Sequence, residues 1–130
     1  MHDRDANYDT FEIIKNAKKE CSILGGFLHY YSGSLELARE YIKLGFLLPI
    51  AGPVTYKNAD KLKEVAKHIP LEYLLTEADS LCLPPSQIGR RRNEPSYVKY
   101  TAAAIAELKG ITFDTVAKQT SDNARILLKL

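Results

Sequence analysis

Tryptophan is absent from this chain, and cysteine occurs only twice in 130 residues. Cys21 and Cys82 lie far apart, and neither forms a Cys-x-x-Cys pair. That excludes a disulfide framework and suits reduced thiols in a cytoplasmic protein. Long apolar runs are missing too: none approaches the roughly 18–20 residues of a membrane helix. The start, Met1-His2-Asp3-Arg4-Asp5, lacks the apolar stretch of a signal peptide. Neither sign of charge dominates, since 18 Lys and Arg face 16 Asp and Glu. Whole-molecule attraction to nucleic acid is therefore not implied, and any such binding has to come from a local patch. There is no P-loop, no glycine-rich dinucleotide fingerprint and no serine nucleophile elbow. The hydrophobic content of 45% is that of an ordinary globular chain with one modest core, which excludes intrinsic disorder.

The pattern alternates helix and strand signals. Residues 7–19 read as a helix, with Phe11, Ile14 and Ala17 at helical intervals. Residues 22–28 form a short apolar run ending at His29. Residues 34–44 are amphipathic, with Leu37, Ala38, Tyr41 and Ile42 on one face and Ser32 or Ser34 as the cap. Residues 46–51 are a second apolar run, in which Pro49 is awkward for a central strand. Leu62, Val65, Ala66 and Ile69 mark a helix over 58–68. Residues 72–78 are a third strand-like run, and an irregular stretch follows from Ser80 to Glu94. The tail, 95–130, is helical in pattern, opened by Pro95 and divided by Gly110. Strands alternating with helices of this length predict parallel β-α-β units.

In such folds chemistry gathers at the carboxyl ends of the strands. His29 follows the first apolar run, Gly52-Pro53 the second and Asp79 the third, at intervals of about one β-α unit. His2 lies one further unit upstream of His29. His2, His29 and Asp79 can thus share one sheet edge. Two imidazoles and a carboxylate suit a divalent cation, and such a carboxylate can also orient or deprotonate water. Plainer roles fit the same spacing: an N-cap for Asp79, a chain terminus for His2. His68, on a helix, is expected at the surface. Gly89-Arg90-Arg91-Arg92-Asn93-Glu94-Pro95 leads into a helix, where arginines and a helix amino terminus can hold phosphate oxygens. It reads equally as a solvated charged loop. The tyrosines of His29-Tyr30-Tyr31-Ser32-Gly33 either stack on bases or pack.

Taken together, these residues resemble the carboxyl-terminal half of the TatD family of metal-dependent deoxyribonucleases. His2-Asp3-Arg4 matches the family's Ile-His-x-Arg, and His29-Tyr30-Tyr31-Ser32-Gly33 its His-Cys-Phe-Ser-Gly. Gly52-Pro53 followed by Thr55-Tyr56-Lys57-Asn58 matches Gly-Pro and Thr-x-Lys-Asn. Glu77-Ala78-Asp79 stands for Glu-Thr-Asp, and Arg92-Asn93-Glu94-Pro95 is intact. Thr120 to Leu128 is similar to the family's Thr-x-Asn-Ala-x-x-Leu-Phe. The resemblance spans essentially all 130 residues.

The resemblance implies a TIM-type barrel with a divalent-metal centre (Mg, Mn or Zn) that hydrolyses DNA phosphodiester bonds. His2, His29 and Asp79 would be metal ligands, and Asp79 would also serve the attacking water. Arg92 and Asn93 would meet the DNA backbone. The departures are as informative. The family's His-x-His pair and bridging glutamate belong to the first half of the barrel, and this sequence contains no His-x-His. Ala78, Leu81 and Cys82 replace Thr, Pro and Tyr around the aspartate. The expected fold is therefore α/β, a partial TIM-type barrel of about three parallel strands with flanking helices. Residues 1–130 would be a single, incomplete, truncated domain of a TatD-like hydrolase. The chain is expected to be inactive alone and to self-associate, lose order in part or dissolve poorly through its open sheet edges. The alternative is a non-catalytic remnant, or a module that binds nucleic acid or a partner through Arg90–Arg92.

Overall fold

A computed structural model describes residues 6–20 and 25–130. Helix α1 (Asn7–Glu20) leads to β1 (Gly26–Phe27), α2 (Leu35–Lys43), β2 (Phe46–Ile50), α3 (Asp60–His68), β3 (Leu74–Thr76), α4 (Val98–Lys109) and α5 (Phe113–Leu128). Short 3-10 turns cover Gly52–Thr55, Leu71–Tyr73 and Pro95–Tyr97. The strands form one parallel sheet in the order β1-β2-β3. This is an α/β arc of a TIM-type barrel, with helices between successive parallel strands.

Side-chain alternation explains how the sheet is used. Phe46, Leu48 and Ile50 of β2 and Leu74 of β3 are buried in the main core beside Val65, Ala66, Ile105 and Val116 from the helices. The opposite row carries Phe27, Leu47, Pro49 and Leu75, with Phe27 paired to Leu47 and Pro49 to Leu75 across the strands. Following that row upward leads to His29, Ala51, Glu77 and Asp79. The odd-numbered positions of three strands thus converge on one edge.

The strands are shorter than the apolar runs suggested. The run 72–78 gives only Leu74–Thr76, because Leu71–Tyr73 closes a 3-10 turn after Pro70. Of the run 22–28, residues 22–24 lie outside the described residues. Pro49 sits in the central strand after all, for a local reason. Its carbonyl accepts from Tyr31 N at 3.3 Å, so its nitrogen also faces β1. On that side the ladder is breaking up at Tyr30, whose φ is +56°, and a missing donor costs little there.

The helices follow their periodicity closely. Ser34 caps α2 by accepting from Leu37 N at 3.2 Å. Tyr41 of α2 is buried, meets Phe11 of α1 edge-on at 5.2 Å and donates its hydroxyl to Asn7 O. Gly110, with φ +66°, ends α4 in the left-handed turn that glycine tolerates best. Phe113 and Leu128 are exposed, whereas Thr120 and Asn123 are buried. Asn123 donates to Leu71 O at 2.9 Å and Leu74 O at 2.8 Å, which pins α5 to the start of β3. Among the described residues no helix is long and apolar enough to cross a membrane.

Candidate metal centre

The carboxyl edge of the sheet brings His29, Glu77 and Asp79 together, 48 and 50 residues apart in sequence. His29 Nδ1 lies 3.0 Å from Glu77 Oε2, and Nε2 lies 3.3 Å from Asp79 Oδ1. The other Glu77 oxygen accepts from Tyr30 N at 2.6 Å. That bond depends on the left-handed turn at Tyr30, which takes its N–H out of the ladder and aims it at the carboxylate. Glu77 N itself donates to Ile50 O at 3.0 Å, so β3 remains tied to β2 up to the site. The bridge from β1 to β3 passes above β2, where Ala51 and Gly52 carry little or no side chain.

Burial raises the Glu77 carboxyl above its ordinary range, and the imidazole and the Tyr30 N–H partly offset that. Tyr30 is raised as well, first by burial and then by the negative field of Asp79. A proton on Nδ1 facing Glu77 leaves the lone pair on Nε2, the tautomer a metal ligand needs. The donor set fits a divalent ion. Ligands bound at about 2.0–2.2 Å to one ion stand roughly 3.0–3.4 Å apart, depending on its geometry, and Nε2 and Oδ1 are 3.3 Å apart. The set is incomplete, however. Among the described residues no group of three or more His, Cys, Asp or Glu side chains is placed to hold a metal. His2 lies outside the described residues.

Loops after the strands hold the aspartate in place. Asp79, Leu81 and Leu83 all have positive φ, at 48°, 107° and 44°. Such conformations cost about 1–3 kcal/mol each and persist only where neighbours over-determine them. The neighbours are visible here. Asn93 Nδ2 donates to Ala78 O at 2.5 Å and Cys82 O at 2.7 Å, on either side of Asp79. Thr55 and Tyr56 fasten the far end of the same loop through Ser86 N and Pro84 O. A side chain at Gly52 would meet Leu83 O at 2.8 Å, so only glycine lets the loop settle there.

The sequence-predicted residues therefore separate. His29 and Asp79 meet. Asn93 is 1% exposed and turned inward against backbone carbonyls, not outward to a ligand. Arg92 is exposed and shares a surface cleft with Ser80 and Leu81, next to Asp79. Asp79 caps no helix, since a turn follows it, and His68 is exposed at the end of α3. Glu77 was missed as a site residue. Its signal was present in Glu77-x-Asp79, just past the end of β3 and two residues apart, the spacing that puts side chains on one side of an extended segment.

A parallel α/β arc with such a cluster at its carboxyl edge defines a protein of TIM-barrel type. Comparison with known proteins gives the family. Residues 1–129 match the family model described as TatD related DNase, and the chain belongs to the TatD family. It is 48% identical over 130 residues to YabD of Bacillus subtilis, an uncharacterized metal-dependent hydrolase, covering all of this chain and 50% of that protein. It is 37% identical to YcfH of Escherichia coli, also an uncharacterized metal-dependent hydrolase, over 95% of this chain and 46% of the relative. Among solved structures, the TatD homologue YjjV of Escherichia coli superimposes with a TM-score of 0.87 at 27% identity, covering 97% of this chain and 48% of YjjV. The chain spans about half the length of the relatives it matches.

Proposed function

We propose that this chain supplies one side of a divalent-metal centre that hydrolyses DNA phosphodiester bonds. The observation that carries the reading is the His29–Asp79 pair, spaced as two ligands of one ion and steered by Glu77. The family description and the relatives' names support a metal-dependent hydrolase. In the proposed site His29 Nε2 and Asp79 bind the ion, with His2 as a third ligand. When bound, the ion would polarise the phosphate and lower the pKa of a water. Asp79 orients that water and accepts its proton. Glu77 keeps the imidazole in its orientation and tautomer. Arg92, exposed beside the aspartate loop, pairs with the phosphate backbone.

Three ligands are too few for a two-metal site, and no His-x-His occurs in this sequence. Turnover by this chain alone is therefore not expected. The test is magnesium- or manganese-dependent degradation of single-stranded DNA, by the chain alone and by the chain joined to the part of YabD that lies outside the matched half. The joined protein should cleave DNA, and Asp79→Asn should lower its rate by about 10²–10⁴-fold, as loss of a general base does. A joined, folded protein that cleaves DNA equally well with Asp79→Asn would overturn the assignment.

A further inference from the structure

Beside the carboxyl edge lies a pocket of about 440 Å³, whose lining includes Tyr30, Ala51, Pro53, Asn58 and Leu62 together with the charged pair Asp60 and Lys61. Its size is that of a small-ligand cleft. We infer that this pocket holds one unstacked nucleobase of single-stranded DNA, next to the phosphate that the metal centre would engage. This rests on the nuclease reading above and adds where the base sits.

Three observations support the assignment. The first is adjacency. Tyr30 follows His29 directly, its N–H bonds the Glu77 carboxylate, and the residue is part of the pocket lining. Ala51 likewise lies between the metal edge and the pocket. A base seated there is joined to a phosphate at the metal edge by its own sugar. The second is chemistry. Tyr30, Pro53, Ala51 and Leu62 offer an aromatic ring and apolar carbons for the faces of a planar base. Asn58, exposed at the mouth, offers an amide donor and acceptor for its edge, and exposed Lys61 offers a cation for a phosphate. The third is access. The pocket begins at the loops after β1 and β2 and is open to solvent. A paired base inside a duplex cannot present its faces to such walls, so the occupant is single-stranded or flipped out.

The test needs no catalysis. Fluorescence anisotropy in EDTA would compare a labelled dT12 strand with a twelve-residue abasic strand of equal charge, on wild type, Tyr30→Phe and Tyr30→Ala. The base-bearing strand should bind at least about fivefold tighter than the abasic strand, the lower end of what one base–aromatic stack contributes. Tyr30→Phe should keep that ratio and Tyr30→Ala should bring it close to one. Equal binding of the two strands by wild type overturns the inference. So does a ratio that survives Tyr30→Ala, or the absence of dT12 binding. Asp79→Asn separates this inference from the nuclease reading: it should leave the binding ratio unchanged while lowering cleavage by the joined protein about 10²–10⁴-fold. A preserved base preference without any metal-dependent cleavage would retain the pocket and reject the nuclease reading.

Discussion

At the scale of single residues, Glu77 and Asn93 hold the His29–Asp79 pair and its loop in place. Glu77 touches His29 through one oxygen and the Tyr30 N–H through the other. Glu77→Gln replaces a carboxylate acceptor by an amide and should weaken Mn²⁺ binding by about 10–100-fold, read by calorimetry. An unchanged affinity would show that His29 needs no steering. Asn93 is more structural than the motif suggested. Asn93→Ala strips two carbonyls of their donor beside Asp79, at about 1–3 kcal/mol for a buried group left unsatisfied. The expected result is a lower melting temperature together with weaker metal binding, because the strained turn at Asp79 loses its clamp. His29 and Asp79 were legible because each follows an apolar run, about two β-α units apart, and the structure brings them together. The sequence hid the inward turn of Asn93, because a motif in the mouth loop reads the same whether its amide faces a ligand or the backbone.

At the scale of elements, α5 is held by buried polar groups as well as by Val116. Phe113 and Leu128 fit the helical pattern, yet they stand at the two ends of the helix and stay exposed. Asn123 instead reaches the carbonyls before and within β3. Asn123→Ala should destabilise the protein by roughly 1–3 kcal/mol, given one buried and one partly buried carbonyl left without this donor, while Phe113→Ala should cost much less. Thermal unfolding followed by circular dichroism distinguishes them. On the same helix Asp122 accepts from Lys118 and Arg125, and the Lys118 bond is the first cause of a carboxyl held below its ordinary range. A depressed pKa means stability that is present above the unfolded value and lost as pH falls through the folded value. Asp122→Asn should flatten the acid limb of the melting-temperature profile slightly, as suits an exposed pair. The helices were legible because period 3.6 is a long signal. Strand ends were not, because β1 and β3 are only two and three residues long, too short for alternation to declare itself.

At the scale of the whole molecule, the sheet has two sides to account for. Among the described residues, one edge of β1 and one edge of β3 have no partner strand. Phe27, on the row that leads to the site, is 38% exposed. Unpaired edges template pairing with another chain. Sedimentation of the 14.6 kDa chain should therefore show species above the monomer at micromolar concentration, and a sharp monomer that unfolds cooperatively would argue the reverse. The family was legible from motifs alone, since they recur in order along nearly the whole chain, at the strand ends and in the loops that follow them. What lies across the open edge was not, since no residue of this sequence encodes its own partner.

The most direct probe is Mn²⁺ titration of the purified chain, followed by electron paramagnetic resonance, with His29→Ala and Asp79→Asn beside it. If the carboxyl edge is a metal centre, wild type takes up Mn²⁺ and both variants lose at least tenfold in affinity while keeping their fold. Binding that is absent in wild type, or unchanged in both folded variants, would show that the His29–Asp79 pair is an ordinary polar contact.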